Sequence, residues 1–293
     1  MVAANEEEKV NLMKYMKRGF TLVELLTVLA IITILLGMIV PATETIHTLA
    51  KITKQKAQIG SLDIALSVFR NDNGYFPPSA WTPSVPTGNY CGAQKLAEAL
   101  LGRDLMGFHP LSGWDTADGV YDIAQPGNLE ARKDRYLEPS TANPFRLGDI
   151  FDNTGPLAPE TFVLCDVFGT RKVTLADGKT VKAGAPVLYY RANTSSKTMA
   201  AATVAMEDRI YDATDNVPVV VLKSQQEDRD HPLGRAPGPY EFFYGNPATG
   251  VIGYIQDTKV PGHWPYRPDS YLLITAGPDG IYGNGDDICN FGN

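Results

Sequence analysis

Two groups of residues have types and spacing that can do chemistry. The first is Lys17-Arg18-Gly19-Phe20-Thr21-Leu22-Val23-Glu24, where a basic patch meets an apolar stretch carrying one acid. From Leu25 to Ala42 no residue is charged. An acid at the centre of a membrane helix costs about 2.5–3.5 kcal/mol by insertion scales, and less near an end. A carboxylate kept there therefore calls for a partner. The second group is Asp279, Asp286 and Asp287, in the glycine-rich tail Thr275-Ala276-Gly277-Pro278-Asp279-Gly280-Ile281-Tyr282-Gly283-Asn284-Gly285-Asp286-Asp287-Ile288. Oxygen donors of this kind suit a hard cation such as calcium, with glycine carbonyls available to complete the shell. The spacing is not that of an EF-hand. Read without an ion, the same residues make an acidic surface turn, because Gly and Asp tolerate unusual backbone angles.

The first group resembles the class III signal of type IV prepilins and type II secretion pseudopilins. In that family a membrane peptidase cuts after the glycine and methylates the new amino terminus. The resemblance implies a cut between Gly19 and Phe20, an N-methylated Phe20, and Glu24 as the fifth residue of the mature chain. Glycine suits a narrow protease subsite. Lys14, Lys17 and Arg18 favour a cytoplasmic N-terminus by the positive-inside rule. The Glu24 carboxylate of one subunit can then meet the Phe20 amine of a neighbour during assembly, each charge being costly alone in hydrocarbon. An ordinary secretory signal would place its cleavage site after the apolar run, not before it. Met1, Met13 and Met16 are all possible starts. The tail is similar to the C-terminal calcium loop of the major pseudopilin, with its G-x-D-G … D-I frame. That similarity implies Asp279 and Asp287 as ligands, with Asp286 as an additional acid and main-chain oxygens near Ile274 and Gly277.

The elements that must position these residues are legible as a pattern. Phe20 to about Asn71 reads as one long helix whose first half is apolar all round, as a membrane span should be. Pro41 ends that half and is expected to kink or loosen it. Beyond it Ile46, Leu49, Thr53, Ile59, Leu62, Leu66 and Phe69 recur at three- and four-residue spacing and form a packing stripe. Lys51, Lys54, Lys56 and Asp63 lie on other faces. Asn73 or Gly74 suits a left-handed cap. The following Gly74-Tyr75-Phe76-Pro77-Pro78 resembles the turn that follows the long helix in major pseudopilins. Residues 79–160 are rich in Pro, Gly, Trp and Asp, with a helix expected at Gln94–Leu101. Strands are expected at Thr161–Val167, Lys172–Leu175, Pro186–Arg191, Pro218–Lys223, Tyr240–Tyr244, Val251–Ile255 and Tyr271–Thr275, with a hairpin turn at Asp177-Gly178 and a short helix at Ala200–Met206. The fold class is α+β, a long helix laid on a mainly antiparallel sheet. The expected divisions are a leader at 1–19, a membrane and assembly half-helix at 20–42, an amphipathic half at 43–74, and an exported pilin-like domain at 75–293 with an insertion at 79–160.

Composition narrows the function. The 293 residues carry a net charge of −7; removing Met1–Gly19 takes away four basic and three acidic residues and leaves −8. Such a surface argues against nucleic-acid binding. Cys91, Cys165 and Cys289 form no CxxC and read as isolated structural cysteines, although one pair can bridge in an oxidising compartment. The four histidines are scattered, Asp228-Arg229-Asp230-His231 reads as a solvated loop, and no catalytic residue is assigned. Trp81, Trp114 and Trp264 read as packing residues rather than a ligand face. The expectation is a non-enzymatic pseudopilus subunit of a type II secretion system that binds calcium and self-associates into a filament. Its partners would be prepilin peptidase, an inner-membrane assembly platform and a cytoplasmic assembly ATPase. It would cross the bacterial inner membrane once, with its domain in the periplasm. A type IV pilus subunit and a membrane-tethered binding module or enzyme are the alternatives.

Overall fold

Thr21 opens the first helix, α1, Leu22–Asn73, and Gly74 closes it. In the computed structural model the described residues are 19–81, 90–125, 127–175, 178–196, 209–222, 230–234, 238–246 and 248–292, with backbone only at 39–42. The leader before Gly19, Asp177, the Ala200–Met206 helix, and Asp228-Arg229 lie outside them. The helix continues through Pro41. At its end Gly74 has φ 80° and returns its N–H to the Arg70 carbonyl at 2.7 Å. A positive φ is costly for any residue with a Cβ, so the expected glycine cap is met.

The chain divides into two units at Ala50/Lys51. In the first, the described side chains from Phe20 to Met38 are exposed, and among the described residues this is the one helix long and apolar enough to cross a membrane. In the second, α1 buries Gln55, Gln58, Ile59, Leu62, Ala65, Leu66 and Phe69 on one face. Ile59, Leu62, Leu66 and Phe69 were expected there; Ile46, Leu49 and Thr53 instead stand exposed. The stripe starts later than its apolar spacing suggests, and two glutamines begin it.

Those glutamines have a physical role. Gln58 Nε2 donates to the carbonyls of Thr141, Ala142 and Cys165 at 3.0–3.1 Å. Gln55 Oε1 accepts the Val167 N–H at 2.9 Å. Asp63, expected on a face other than the packing stripe, is half-buried and accepts from Tyr271 Oη (2.8 Å), Asn290 Nδ2 (3.1 Å) and Arg267 (3.3 Å). Polar bonds thus fix the rotation and depth of α1 on the domain.

After α1 come α2 (Gly92–Leu101), α3 (Pro139–Ala142), β1 (Pro144–Arg146), α4 (Leu147–Ile150), β2 (Phe162–Leu164), β3 (Arg171–Thr174), β4 (Thr180–Ala183), β5 (Leu188–Arg191), α5 (Val217–Val220), α6 (Pro239–Tyr244), β6 (Tyr271–Thr275) and β7 (Ile288–Cys289). All pairings are antiparallel: β1 with β2, β3 with β4, and the three-stranded sheet β5–β6–β7, with Leu188 opposite Ile274 and Ile274 opposite Cys289. This is the expected α+β class. The sheet buries both faces. Val187, Tyr189, Tyr271 and Leu273 pack with Leu62, Leu66, Phe69, Leu96 and Leu100, whereas Leu188, Tyr190, Leu272 and Ile274 pack with Tyr211, Phe243, Tyr244 and Ile255. Alternation sends neighbours to opposite sides, so a strand covered on both sides is apolar throughout.

Two expected strands are helices. Pro218–Lys223 is replaced by α5, and Tyr240–Tyr244 by α6; each has a proline in its first turn, where the missing N–H costs nothing. At Val251–Ile255 only Val251 makes an isolated bridge, to Asn246. The three cysteines are unbridged. Substituting Gln58→Leu would leave the Ala142 and Cys165 carbonyls short of a donor and should cost about 2–3 kcal/mol. Urea unfolding of the variant with an unchanged m-value would report it; a loss below roughly 0.5 kcal/mol would contradict this account of the helix seam.

Candidate functional site

Gly19 and Phe20 are exposed and lie just ahead of α1, outside any helix or strand. Thr21 and Glu24 then form a reciprocal pair. The Glu24 N–H donates to Thr21 Oγ1 at 3.1 Å, while Glu24 Oε2 accepts from the Thr21 N–H and hydroxyl, both at 3.0 Å. This is a capping box, in which Thr-x-x-Glu satisfies two amides that the first turn leaves open. Its signal is the Thr-x-x-Glu spacing of Thr21-Leu22-Val23-Glu24 ahead of an apolar run. The consequence is positional. Glu24 turns back toward the start of the helix, so its charge lies at the end where a cut after Gly19 would create an amine.

The tail loop brings two of its three acids together. The Asp279 N–H donates to Asp286 Oδ2 at 3.2 Å, and Asn284 bridges them, its Nδ2 donating to Asp279 Oδ2 at 2.7 Å and its Oδ1 accepting the Asp286 N–H at 3.2 Å. Gly277 has φ 62°, and a Cβ there would lie 2.3 Å from the Asp286 carbonyl oxygen, so the loop closes only over glycine. Burial raises the Asp286 carboxyl above the usual range. Asp287 turns elsewhere. Its Oδ2 accepts from the Gly283 and Asn284 amides at 2.7 and 3.2 Å and from the Tyr254 hydroxyl, and burial pushes this carboxyl up to about 6. Its Oδ1 is buried without a hydrogen-bond partner. Among the described residues no three acidic, histidine or cysteine side chains converge as a metal centre. What fits a hard cation is the donor chemistry: Asp279, Asp286, the Asn284 amide oxygen, and the unsatisfied Asp287 oxygen nearby in the same loop.

The loop is anchored from outside as well. Thr275 Oγ1 donates to the Ile288 carbonyl at 2.9 Å, closing its two ends. The Tyr282 N–H donates to Nδ1 of buried His231 at 3.1 Å, and the Tyr282 hydroxyl bonds the Pro186 carbonyl. His231 therefore serves as an acceptor holding the tail, not as part of a solvated loop. Tyr254 and His231 were not legible as parts of this loop, since their contacts span 33 and 51 residues, and Asn284 acts within the loop, where an irregular backbone sets its direction. Trp114 stacks on Phe108 with centroids 5.2 Å apart, the packing role expected of it. A separate cavity of about 360 Å³ is lined by Ser79, Arg191, Asn193, Arg209, Asp212 and Asp215 among others.

Residues 14–40 match the family model described as the prokaryotic N-terminal methylation motif. Comparison with curated proteins and with solved structures returned no match to the chain. The matched segment encloses Gly19, Phe20 and Glu24 and continues into the apolar half of α1. Its N-terminal part is thus similar to that of type IV pilin-like precursors, which implies processing by prepilin peptidase, anchoring by a single apolar helix, and assembly into a filament.

Proposed function

We propose that this chain is a structural, non-catalytic subunit of a type II secretion pseudopilus. The observation that carries the reading is the junction itself: Gly19, then Phe20, then an acid, Glu24, at the head of a helix that is uncharged from Leu25 to Ala42. Cleavage after Gly19 by prepilin peptidase frees the Phe20 amine, which is methylated. The helix stores the subunit in the inner membrane, its N-terminus cytoplasmic by the charge of Lys14, Lys17 and Arg18 and its 75–293 domain periplasmic. An assembly platform and a cytoplasmic ATPase then extract it into a helical filament that promotes export. Pairing of Glu24 with a neighbour's Phe20 amine sets the axial register, since either charge alone is expensive in hydrocarbon. The capping box supports this by fixing the carboxylate at the helix start before assembly.

Calcium in the tail belongs to the same reading. Asp279 and Asp286 would supply carboxylates, with Asp287 joining if its orphaned oxygen turns to the ion; the bound cation would tie the chain end to β6. The support is the oxygen-rich loop, the strict need for Gly277, and the unsatisfied Asp287 oxygen.

A type IV pilus subunit shares every feature of the junction, and location separates the two. Quantifying the mature chain at native expression should find it in the cell envelope for a pseudopilin. Abundance in sheared surface material would instead establish a pilus. A membrane-tethered binding module is favoured only by the 360 Å³ cavity.

Mass spectrometry should give a mature chain beginning at methylated Phe20. Retention of Met1, Met13 or Met16 in cells with active peptidase would overturn the processing step. Glu24→Gln should be cut normally yet lower filament yield roughly tenfold or more, since a charge-assisted bond is worth about 1.5–3 kcal/mol. Unchanged yield would remove the register role. Calcium at about a hundred times its dissociation constant should add about 2.7 kcal/mol, which for a chain of this size raises the melting temperature by roughly 5–10 °C. Asp279→Ala should abolish that rise; equal melting with and without calcium in the unaltered chain would sink the proposal.

A further inference from the structure

Glu98, in the last turn of α2, is a carboxyl in an unusual place. It is 3% exposed. One oxygen bonds the Ser112 hydroxyl, and the other, Oε2, is buried and makes no hydrogen bond of ordinary geometry. Tyr90 faces it from the segment before α2, and Tyr121, Arg103 and Asp118 face it from the loop that follows; Lys95 lies one turn back on α2 itself. The nearest cation is already engaged. Arg103 donates to the Asp115 carbonyl at 2.9 Å and pairs with Asp118 at 3.3 Å, with its guanidinium stacked 4.7 Å over the Tyr121 ring. Lys95 spends its ammonium on the Ala80 carbonyl. An ionised Glu98 would thus be a buried anion with no ion pair, faced only by the Ser112 and Tyr121 hydroxyls, whereas the neutral acid loses far less on burial.

The backbone of the loop that buries it ties back to α2 at Gly107 and Tyr136. Residues 102–136, described apart from 126, leave α2 and return beside it. Gly107 N–H donates to the Leu101 carbonyl at 2.8 Å, Lys133 N–H to the Phe108 carbonyl at 2.8 Å, and Tyr136 N–H to the Leu100 carbonyl at 2.9 Å. Ser112 both bonds Glu98 and accepts the Trp114 N–H at 3.0 Å, so the turn carrying Trp114 is set by the same contact. Met106, Leu111, Ile123 and Leu129 stand exposed on this loop, while Phe108 and Tyr121 are buried and Trp114 stacks on Phe108.

We propose that Glu98 is a protonation-controlled clasp: its neutral carboxyl holds the 102–136 loop closed over the end of α2, and its ionisation releases that loop. The direction follows from linkage. Burial raises the Glu98 carboxyl from an ordinary 4.5 to about 7, with Asp118 pushing the same way and the Ser112 hydroxyl, Arg103 and Tyr121 opposing. A group that binds its proton more tightly in the closed loop contributes fully below 4.5 and loses that contribution as pH rises through about 7. Closure is an acid-side property, released toward neutral and alkaline pH.

Hydrogen exchange of the full chain in detergent micelles tests this at the Gly107, Lys133 and Tyr136 amides, corrected for intrinsic exchange. Their protection should fall on the order of a hundredfold between pH 5 and pH 8, while the Leu273 amide in β6 changes little. Glu98→Gln should abolish the difference, leaving similar protection at both pH values. An unaltered chain whose loop protection does not change with pH, or a Glu98→Gln chain that keeps the full pH response, would overturn the proposal. If the variant does not fold, a carbon-13 carboxyl titration of Glu98 in the unaltered chain decides: a midpoint near 7 supports the clasp, and one near 4.5 refutes it.

Discussion

Gln58 gives its amide to three carbonyls, and Gln55 takes an amide from the far end of the same strand region, so the long helix completes hydrogen bonds that the sheet leaves open. The strands need that help. β1 and β2 have three residues each, and β2 is extended past Leu164 by the single bridge from Cys165 to Pro186. Buried carbonyls there have no further strand to meet and would carry the cost of lost solvation. Leu62, Leu66 and Phe69 supply the area of the helix seam; Gln55, Gln58 and Asp63 supply its register. Because Asp63 also gathers Arg267, Tyr271 and Asn290, the seam reaches both β6 and the chain's last residues, and the tail loop hangs from that frame.

The parts legible in the sequence are those whose physics is local or one-dimensional. An uncharged run from Leu25 to Ala42, a glycine after a helix, and a five-residue run such as Tyr271–Thr275 state their structure without reference to anything distant. The parts misread share a different logic. Val217–Val220 and Pro239–Tyr244 contain the β-branched and aromatic residues that favour strands, yet each folds into a turn of helix because proline sets the first turn and Val219, Val220, Phe243 and Tyr244 find a core to fill. Packing overrode propensity in pieces too short for propensity to accumulate. β4 and β7 were missed for the opposite reason. Thr180–Ala183 is half exposed, and Ile288–Cys289 is two residues long, so neither shows a period.

Polar groups followed neither rule. Gln55 and Gln58 are interior hydrogen-bonding residues and Asn284 a half-buried one, and each is defined by partners supplied from far along the chain or across a loop turn. The tail acids illustrate the same limit. Three aspartates in a short stretch suggested one shared ion, but adjacent positions in an irregular loop point in different directions, and Asp287 faces Tyr254 while Asp286 faces Asp279. Spacing alone specifies convergence only where the backbone is regular.

Glu24 draws the local and the long-range arguments together. Within the chain it caps its own helix with Thr21, an arrangement worth about 0.5–2 kcal/mol in water. In hydrocarbon the same contacts weigh more, because no water competes for the Thr21 amide. A carboxylate that a capping box holds against the helix start has already lost most of its side-chain freedom, so the proposed pairing with a neighbour's Phe20 amine would not have to supply that ordering entropy. The capping box and the intermolecular pair are therefore not rivals. The carboxylate has two oxygens, and Oε2 alone takes both Thr21 bonds. Oε1 takes neither of them, and the proposed pairing would draw on it at the end of the helix whose dipole already favours negative charge.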